Sequence, residues 1–281
     1  MSPRRLLLID PDRSVHEFLT GLLQREDRTI RSAYGHRESL ECLRSGPFDL
    51  VLAGQGPNGF DGLKLARQVH TLQPGAKAIF TGSSDPTRVI RAIRAHAYSY
   101  FHSPLPTIAL SDMVQQALDS APSPDDILVV SARPEWITLG IRCKMDAADR
   151  ATHFFREMEA ALPLQVREDV VAAFRELLLN AIEHGGKYDA HKRVRASLLH
   201  TPKSIIVHIA DPGKGFSLNA LPHAAISNPE DSPIHHVEIR AEAGKRPGGF
   251  GILMTRNMID ELVYNERGNA VLFVKYLDGV Q

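Results

Sequence analysis

The first 120 residues alternate between short apolar runs and longer segments in which apolar residues recur at helical spacing. The runs Leu6–Ile9, Leu50–Ala53 and Ala78–Phe80 are short and continuous, which is typical of strands buried on both faces of a parallel sheet. Two further strands are predicted near Arg28–Ala33 and Tyr98–Phe101. Five strands alternating with helices predict an α/β fold with a doubly wound, five-stranded parallel sheet.

The hydrophobic pattern changes after a short polar segment, Ser120–Asp126, which is rich in proline and small residues. This composition is typical of a linker, so the sequence predicts domains at 1–120 and 127–281 joined by a linker at 121–126. In the second domain the predicted strands are grouped apart from the helices, which favours an α+β sandwich with helices on one face of a mixed sheet. The predicted strands are 127–130, 136–142, 193–200, 204–210, 261–265 and 270–276, and the predicted helices are 147–161, 164–184 and 251–258.

The amino-acid composition excludes several classes of protein. Hydrophobic residues make up 43% and charged residues 23% of the chain, with a formal net charge of zero, so no charge field favours nucleic-acid binding. The two cysteines, Cys42 and Cys143, form neither a disulfide framework nor a metal cluster and are expected to be apolar fillers. No run approaches the roughly 18 apolar residues of a membrane span. We therefore expect a cytoplasmic protein with no membrane or nucleic-acid partner.

Several pieces of the first domain resemble response-regulator receiver domains. Leu6–Asp10 resembles their first strand, and Phe48–Ala53 with Asn58–Gly62 resembles their third strand and the loop after it. Thr81 and Tyr100 match the two positions that switch in receivers. The resemblance covers about residues 4–120 and implies a flavodoxin-like fold.

The residues that carry receiver chemistry are missing. Receivers use an acidic pocket for Mg²⁺, an aspartate that accepts phosphate and a lysine that neutralises the phosphoryl oxygens. Asp10 matches one pocket acid, but Pro11 occupies the place of the second. Gly54 aligns with the phosphoacceptor and Ser103 with the lysine. The resemblance therefore implies a degenerate receiver that cannot be phosphorylated and that serves as a regulatory domain.

A receiver without this chemistry can still dock proteins. On the predicted helix Pro86–His96, Arg88, Arg91 and Arg94 follow one another at three-residue spacing and lie along one side. This region is the usual docking surface of receivers, so the resemblance implies docking here. A solvated charged face explains the three arginines equally well.

The strongest motif of the second domain is the segment Phe174–Gly185, FRELLLNAIEHG. On a helix Glu176, Asn180 and His184 are spaced four apart and share one face. The side-chain oxygen of Asn180 suits Mg²⁺, a hard cation, and the carboxylate of Glu176 one turn earlier can accept a proton. A polar stripe on a solvated helix has the same pattern, so this motif alone leaves both interpretations open.

Two glycine motifs follow at a distance. Asp211, in the sequence DPGKGF, comes directly after a predicted strand, and a carboxylate there can accept a hydrogen bond from the exocyclic amine of adenine. Gly213 and Gly215 allow the backbone to turn sharply beside a ligand. Gly248–Gly251 opens a predicted helix, whose free N–H groups attract phosphate. A plain turn explains either motif when it stands alone.

Taken in order, the three motifs resemble the N, G1 and G2 boxes of the histidine-kinase-like ATPase superfamily, which has the Bergerat fold. The resemblance covers about residues 127–277, and the E-x-x-x-N-A-x-E-H-G form looks most like the anti-sigma-factor serine kinases of bacterial partner-switching systems. It implies ATP and Mg²⁺ as cofactors, with Glu176 as general base, Asn180 as Mg²⁺ ligand and Asp211 as adenine reader. The other residues that it places at the nucleotide are His184, Gly213, Lys214, Gly215, Gly249 and Gly251.

Some features depart from that pattern. The stretch Phe216–Pro247 between the glycine boxes is long and is predicted to be an ATP lid. Its neighbouring histidines, His235 and His236, lack an evident third ligand for a metal. The last strand, starting at Ala270, lacks the threonine that often backs adenine in this superfamily. Trp136 is predicted to lie in the core.

Two functions remain open. The first is a serine/threonine protein kinase that acts on an anti-sigma-factor antagonist, because a small site suffices for phosphoryl transfer. The second is an ATP-dependent binding module that sequesters a sigma factor or other protein without phosphotransfer. An autophosphorylating histidine kinase is disfavoured because no helical hairpin with a phosphorylatable histidine precedes the ATPase domain, and His153 is expected at the surface or as a satisfied core residue. Whether the chain forms a homodimer is left open.

Overall fold

The computed structural model of the protein describes residues 3–56, 59–121, 125–215 and 251–277. Its contacts divide the chain into two compact units. The first unit contains residues 1–125 and 153–161, and the second contains residues 126–152 and 162–281. Among the described residues, no helix combines the length and the apolar character needed to cross a membrane.

The first unit is built on a five-stranded sheet in the order β2-β1-β3-β4-β5, and every strand pair in it is parallel. This confirms the predicted doubly wound sheet. Its strands are β1 (Arg4–Ile9), β2 (Arg28–Ala33), β3 (Leu50–Ala53), β4 (Lys77–Gly82) and β5 (Ser99–His102), and its helices are α1 (Arg13–Leu23), α2 (His36–Arg44), α3 (Ala66–Leu72), α4 (Pro86–Arg94) and α5 (Thr107–Asp119).

Local signals fix where these helices begin. The Asp12 carboxylate accepts a hydrogen bond from the backbone N–H of Ser14 at 2.8 Å and so caps α1. Asp85 caps α4 in the same way, followed by a proline at the first helical position. The apolar stripe of α5 is buried against the sheet, with Leu110 and Val114 fully inaccessible to solvent. The capping side chains and the buried apolar face are therefore consistent with the helix bounds of the structure.

The first unit also contains the end of α6 (Met145–Met158). Glu157, only 2% exposed, accepts a hydrogen bond from the backbone N–H of His102 at 2.7 Å, and the ring Nδ1 of His102 lies 2.6 Å from the same carboxylate oxygen. His153 Nε2 lies 2.8 Å from the carbonyl oxygen of Tyr100. His153 is thus a satisfied core histidine, one of the two environments predicted for it.

The second unit contains a six-stranded sheet in the order β10-β11-β9-β8-β7-β6. All five strand pairs are antiparallel, so the prediction of a mixed sheet is wrong. The reason is that three of the pairs join consecutive strands across short turns, a connection that only antiparallel strands can make. The strands among the described residues are β6 (Ile127–Arg133), β7 (Trp136–Arg142), β8 (Arg193–Thr201), β9 (Ser204–Ala210), β10 (Glu261–Tyr264) and β11 (Ala270–Tyr276), and the described helices besides α6 are α7 (Leu164–Asn180) and α8 (Gly251–Met258).

The helix predicted to run to His184 changes form on the way. Its α-helical part ends at Asn180, and a π-helical turn, Ala181–Gly186, follows it. The turn ends at Lys187, which adopts a left-handed conformation with φ 58°. π-helical turns are rare in proteins overall, and those that occur are frequently found at functional sites.

Two side chains near the start of the second unit differ from their predictions. Trp136 is 42% exposed, because it lies on the opposite face of β7 from the buried Ile137. Asp126, predicted as the last residue of the linker, is fully buried. Its carboxylate forms an ion pair with Lys144 at 3.1 Å and lies 3.8 Å from Arg150, which offsets the cost of burying the charge.

Candidate functional site

Two predicted site residues meet on α7. Glu176 and Asn180 are both partly buried and lie one turn apart. The amide nitrogen of Asn180 donates a hydrogen bond to Glu176 Oε1 at 3.2 Å. This bond holds the carboxylate and turns the side-chain oxygen of Asn180 the other way, where it is suited to a hard cation.

His184 lies on the π-helical turn and is exposed. It interacts electrostatically with Asp211, at the end of β9, although the two residues are far apart in sequence. Burial raises the pKa of Asp211 above the usual aspartate range, and a backbone hydrogen bond and the charges of Arg267 and His184 lower it in part. The turn therefore brings the N motif next to the first glycine motif.

The Asp211 carboxylate is held between two stretches of backbone. The N–H of Gly213 donates to Asp211 Oδ1 at 2.7 Å. A methyl group on Gly213 would lie 2.7 Å from the same oxygen and 2.8 Å from the Cα atom of Gly185. A methyl group on Gly185 would overlap the carboxylate itself. Gly185 thus lines the site, although sequence reasoning gave it no role.

The loop after Asp211 is supported by a turn between β10 and β11. Asp211 donates its backbone N–H to the carbonyl of Asn269 at 2.9 Å, and Arg267 Nε donates to the carbonyl of Lys214 at 3.3 Å. Gly215 has a φ of 84°, a conformation that favours glycine, and a side chain there would overlap the carbonyl of Arg267. Lys214 itself is exposed. Arg267 and Asn269 were missed because no local pattern signals a contact over such a separation.

The first residue of α8 lies against the N motif. A methyl group on Gly251 would overlap the Glu176 carboxylate, so the backbone at the start of α8 touches this side chain. Tyr264 is near the same group: burial raises its pKa to about 12, with the charge of Arg256 lowering it and that of Glu176 raising it. Gly249 and the segment predicted as a lid, with its histidines, lie outside the described residues.

Together these contacts form one site with two ends. Glu176, Asn180 and the start of α8 form an end with oxygen ligands and helix N–H groups, which fits a divalent cation with phosphates. Asp211 and its glycines form an end with a half-buried carboxylate acceptor, which fits an amine. Within the described ranges no group of three or more His, Cys, Asp or Glu side chains is placed to hold a metal ion by itself.

The first unit has a second site, at the carboxyl ends of its strands. A side chain at Gly54 would overlap Asp10 Oδ2 and would lie 3.3 Å from Thr81 Oγ1. The Asp10 carboxylate therefore fills the room in which a phosphoacceptor would stand. Asp10 is 5% exposed, and burial raises its pKa. Ser103 is exposed and has no charge to offer.

Beside that pocket, a buried ion pair ties α4 to the loop after β3. Arg88 Nη2 donates to Asp61 Oδ1 at 2.6 Å, and both side chains are 10% exposed. Arg88 Nε also donates to the hydroxyl of Tyr100, which in turn donates to the carbonyl of Ser83 at 2.7 Å. Arg88 is therefore neither a solvated nor a docking side chain, whereas its neighbour Arg91 is exposed. Tyr100, which matches a switch position of receivers, points inward: it is fully buried, and Arg88 and Ser83 hold its hydroxyl.

Comparison with known families also divides the chain into two parts, although residues 153–161, which the contacts assign to the first unit, fall within the second match. Residues 6–115 match the family model of the response regulator receiver domain. Residues 141–275 match the family model of the histidine kinase-like ATPase domain. An ATPase domain of this kind implies ATP binding.

Individual relatives are similar over less than half of the chain. The transcriptional regulatory protein GlrR of Escherichia coli (strain K12) is 28% identical over 126 residues, which are 44% of this chain and 28% of GlrR. The C4-dicarboxylate transport transcriptional regulatory protein DctD of Pseudomonas aeruginosa is 37% identical over 118 residues, 41% of this chain and 25% of DctD. The chain thus spans about a quarter of the length of these regulators. A solved CheY-like receiver domain protein from Methanospirillum hungatei is 25% identical with a TM-score of 0.39, over 42% of this chain and 95% of that one.

Proposed function

Because the chain joins a response regulator receiver domain to a histidine kinase-like ATPase domain, we propose that it is an ATP-binding signalling protein with protein kinase activity. It transfers the γ-phosphoryl group of ATP to a serine or threonine of a partner protein. The observation that carries this proposal is the position of Glu176, whose carboxylate lies between the Asn180 amide and the first residue of α8. A proton acceptor at the phosphate end of a nucleotide site is what hydroxyl phosphorylation requires.

Each end of the site has its own task. Bound Mg²⁺ supplies charge neutralisation when ATP is present. The side-chain oxygen of Asn180 would ligate the ion, and Asp211 would accept the hydrogen bond of the adenine amine. Gly251, with the backbone N–H groups that follow it, would face the phosphates. These assignments place the γ-phosphate near Glu176 and away from Asp211.

Glu176 has the role of general base. The hydroxyl oxygen of the partner forms a bond to the γ-phosphorus while the bond from that phosphorus to the ADP oxygen breaks. The hydroxyl proton passes to the Glu176 carboxylate, so charge does not build up on the attacking oxygen. The hydrogen bond from Asn180 keeps the carboxylate oriented before the partner arrives.

The test uses the Glu176→Gln variant of the full chain. Glutamine keeps the shape of the side chain but cannot take a proton, so we expect unchanged ATP affinity and a loss of transfer of about 100-fold or more. Calorimetry measures the affinity, and radiolabelled ATP with a candidate partner measures transfer. Glu183→Gln is the matched control, because Glu183 is an exposed carboxylate nearby that accepts a hydrogen bond from the Tyr188 hydroxyl. Equal transfer by wild type and Glu176→Gln would remove Glu176 from the mechanism.

The partner that this proposal favours is an anti-sigma-factor antagonist in a bacterial, cytoplasmic partner switch. A second candidate function is an ATP-dependent module that sequesters a sigma factor or other protein without phosphotransfer. Leu253 and Met254 favour a protein-binding surface, because these apolar side chains of α8 are 38% and 51% exposed. The radiolabel experiment separates the two functions: ATP-dependent complex formation without label on the partner supports sequestration.

A further inference from the structure

The carboxylate of Asp211 occupies space that exists only because two residues beside it have no side chain. Its Oδ1 atom accepts the Gly213 N–H at 2.7 Å, and the Gly213 backbone lies against the backbone of Gly185. A methyl group on Gly185 would overlap Oδ1 and Cγ of Asp211 and would lie 2.5 Å from its Cβ atom. Gly185 comes from the π-helical turn, whereas Asp211 and Gly213 come from the end of β9 and the loop after it.

The main chain of Asp211 has little freedom to move, whereas its side chain can rotate. Its backbone N–H is bound to the carbonyl of Asn269 at 2.9 Å, which fixes the main chain at the end of β9. A real contact as close as the one a Gly185 methyl would make does not occur between non-bonded atoms, so one partner must shift. The side-chain torsion of Asp211 is softer than the two stretches of backbone, and rotation about it would carry the carboxylate away from its present direction.

We propose that Gly185 is a specificity-determining positioning residue, which directs the Asp211 carboxylate toward the amine of adenine by leaving room for it. The inference rests on the proposed function, in which Asp211 reads the base. In this proposal the π-helical turn contributes to the selection of adenine and also connects α7 to β8. Adenine recognition is then set jointly by the acid and by the absence of a side chain opposite it.

The next residue supplies a matched control. Gly186 lies in the same turn, and a methyl group there would overlap Sγ of the buried Cys143 and would lie 2.8 Å from its Cβ atom. Two successive glycines therefore face crowded surroundings, but one faces the acceptor and the other faces the core. Substitution by alanine perturbs packing at both positions and disturbs Asp211 at only one.

The experiment compares Mg-ATP with Mg-ITP by calorimetry on the full chain. ITP has a carbonyl oxygen where ATP has the exocyclic amine, so a carboxylate acceptor rejects it. We expect wild type to prefer ATP and Gly185→Ala to lose about 10- to 100-fold of that preference, the equivalent of one charge-assisted hydrogen bond. Gly186→Ala should keep the preference of wild type, although its thermal stability falls.

Unfolding gives a second measurement that does not depend on nucleotide. If the overlap with Asp211 is the cause, Gly185→Ala should lower the Tm much more in wild type than in an Asp211→Ala background, where the carboxylate is gone. Gly186→Ala should lower the Tm equally in both backgrounds. Equal losses for Gly185→Ala in the two backgrounds would overturn the inference even if that variant were too unstable for calorimetry.

The outcomes separate this inference from the proposed function. Failure of wild type to bind Mg-ATP, or an unchanged ATP preference in Asp211→Asn, contradicts the proposed site itself. A wild type that prefers ATP, an Asp211→Asn variant that does not, and a Gly185→Ala variant that retains the preference would contradict the role of Gly185 alone.

Discussion

At the scale of single residues, Asp10 illustrates how a buried charge is tolerated once its chemistry is lost. Burial raises the pKa of this carboxyl in the folded protein. An aspartate whose pKa is higher in the folded state than in the unfolded state stabilises the fold when it is protonated. That stabilisation is lost as the pH rises through the pKa of the folded state. At neutral pH this buried carboxyl therefore opposes folding.

We predict that Asp10→Asn stabilises the protein at neutral pH and not at low pH. Asparagine is neutral and can still accept the Asp12 N–H, which lies 2.9 Å from Asp10 Oδ1. Thermal unfolding should show a Tm increase of about 2–4 °C for each kcal/mol gained, and this increase should vanish below the usual aspartate pKa. Asp12→Asn is the control, because the hydrogen bonds from Ser14 lower the pKa of Asp12. A Tm gain that persists at acid pH would show that charge burial is not its source.

At the scale of elements, the pair of Arg88 and Asp61 fixes α4 to the loop after β3. Removal of one member of a buried ion pair leaves the other charge uncompensated, which costs about 3–5 kcal/mol. We therefore expect Arg88→Met to lower the free energy of unfolding strongly in urea denaturation. Arg91→Met should cost less than about 1 kcal/mol, because Arg91 is 49% exposed and 3.6 Å from the same carboxylate. Similar losses in the two variants would contradict the assignment of Arg88 as the structural partner.

The sequence predicted the elements better than the contacts between them. The five parallel strands and the strand bounds from Trp136 to Ala210 follow from local apolar patterns, which is why those predictions are confirmed. Local pattern gave no sign of the π-helical turn, because the spacing of residues up to His184 was interpreted with the α-helical period throughout. Nor did local pattern indicate that Asp126 is buried. The three cations near its carboxylate are Arg142, Lys144 and Arg150, and all of them come from later parts of the chain.

In the candidate site, too, contacts within one element were predicted better than contacts between elements. Glu176 and Asn180 were predicted as neighbours because helical spacing alone brings them together, and their hydrogen bond confirms it. The supports of the other end, Gly185 and Asn269, belong to the turn after α7 and to the turn before β11, and only the folded chain brings them to Asp211. Spacing within one element is visible in a sequence, whereas proximity between elements is a product of the fold.

At the scale of the whole molecule, a receiver domain that cannot be phosphorylated should make the ATP affinity and transfer rate of the full chain independent of phosphoryl donors. Gly54 offers no carboxylate, and the carboxylate of Asp10 fills the room above it. We predict that acetyl phosphate or beryllium fluoride changes neither the ATP affinity nor the transfer rate of the full chain. Mass spectrometry should find no phosphate on residues 1–121. Phosphate on any aspartate there would show that the pocket is still reactive.

The overlap between Asp10 and a side chain at Gly54 also bears on the history of the protein. A single reversion of Gly54 to aspartate would force two carboxylates into one space, so the intermediate would be penalised by both sterics and charge. Recovery of phosphorylation would need Asp10 to find another orientation and Ser103 to become a lysine as well. With the pocket closed in this way, a return to phosphorylation requires several coordinated substitutions and not one.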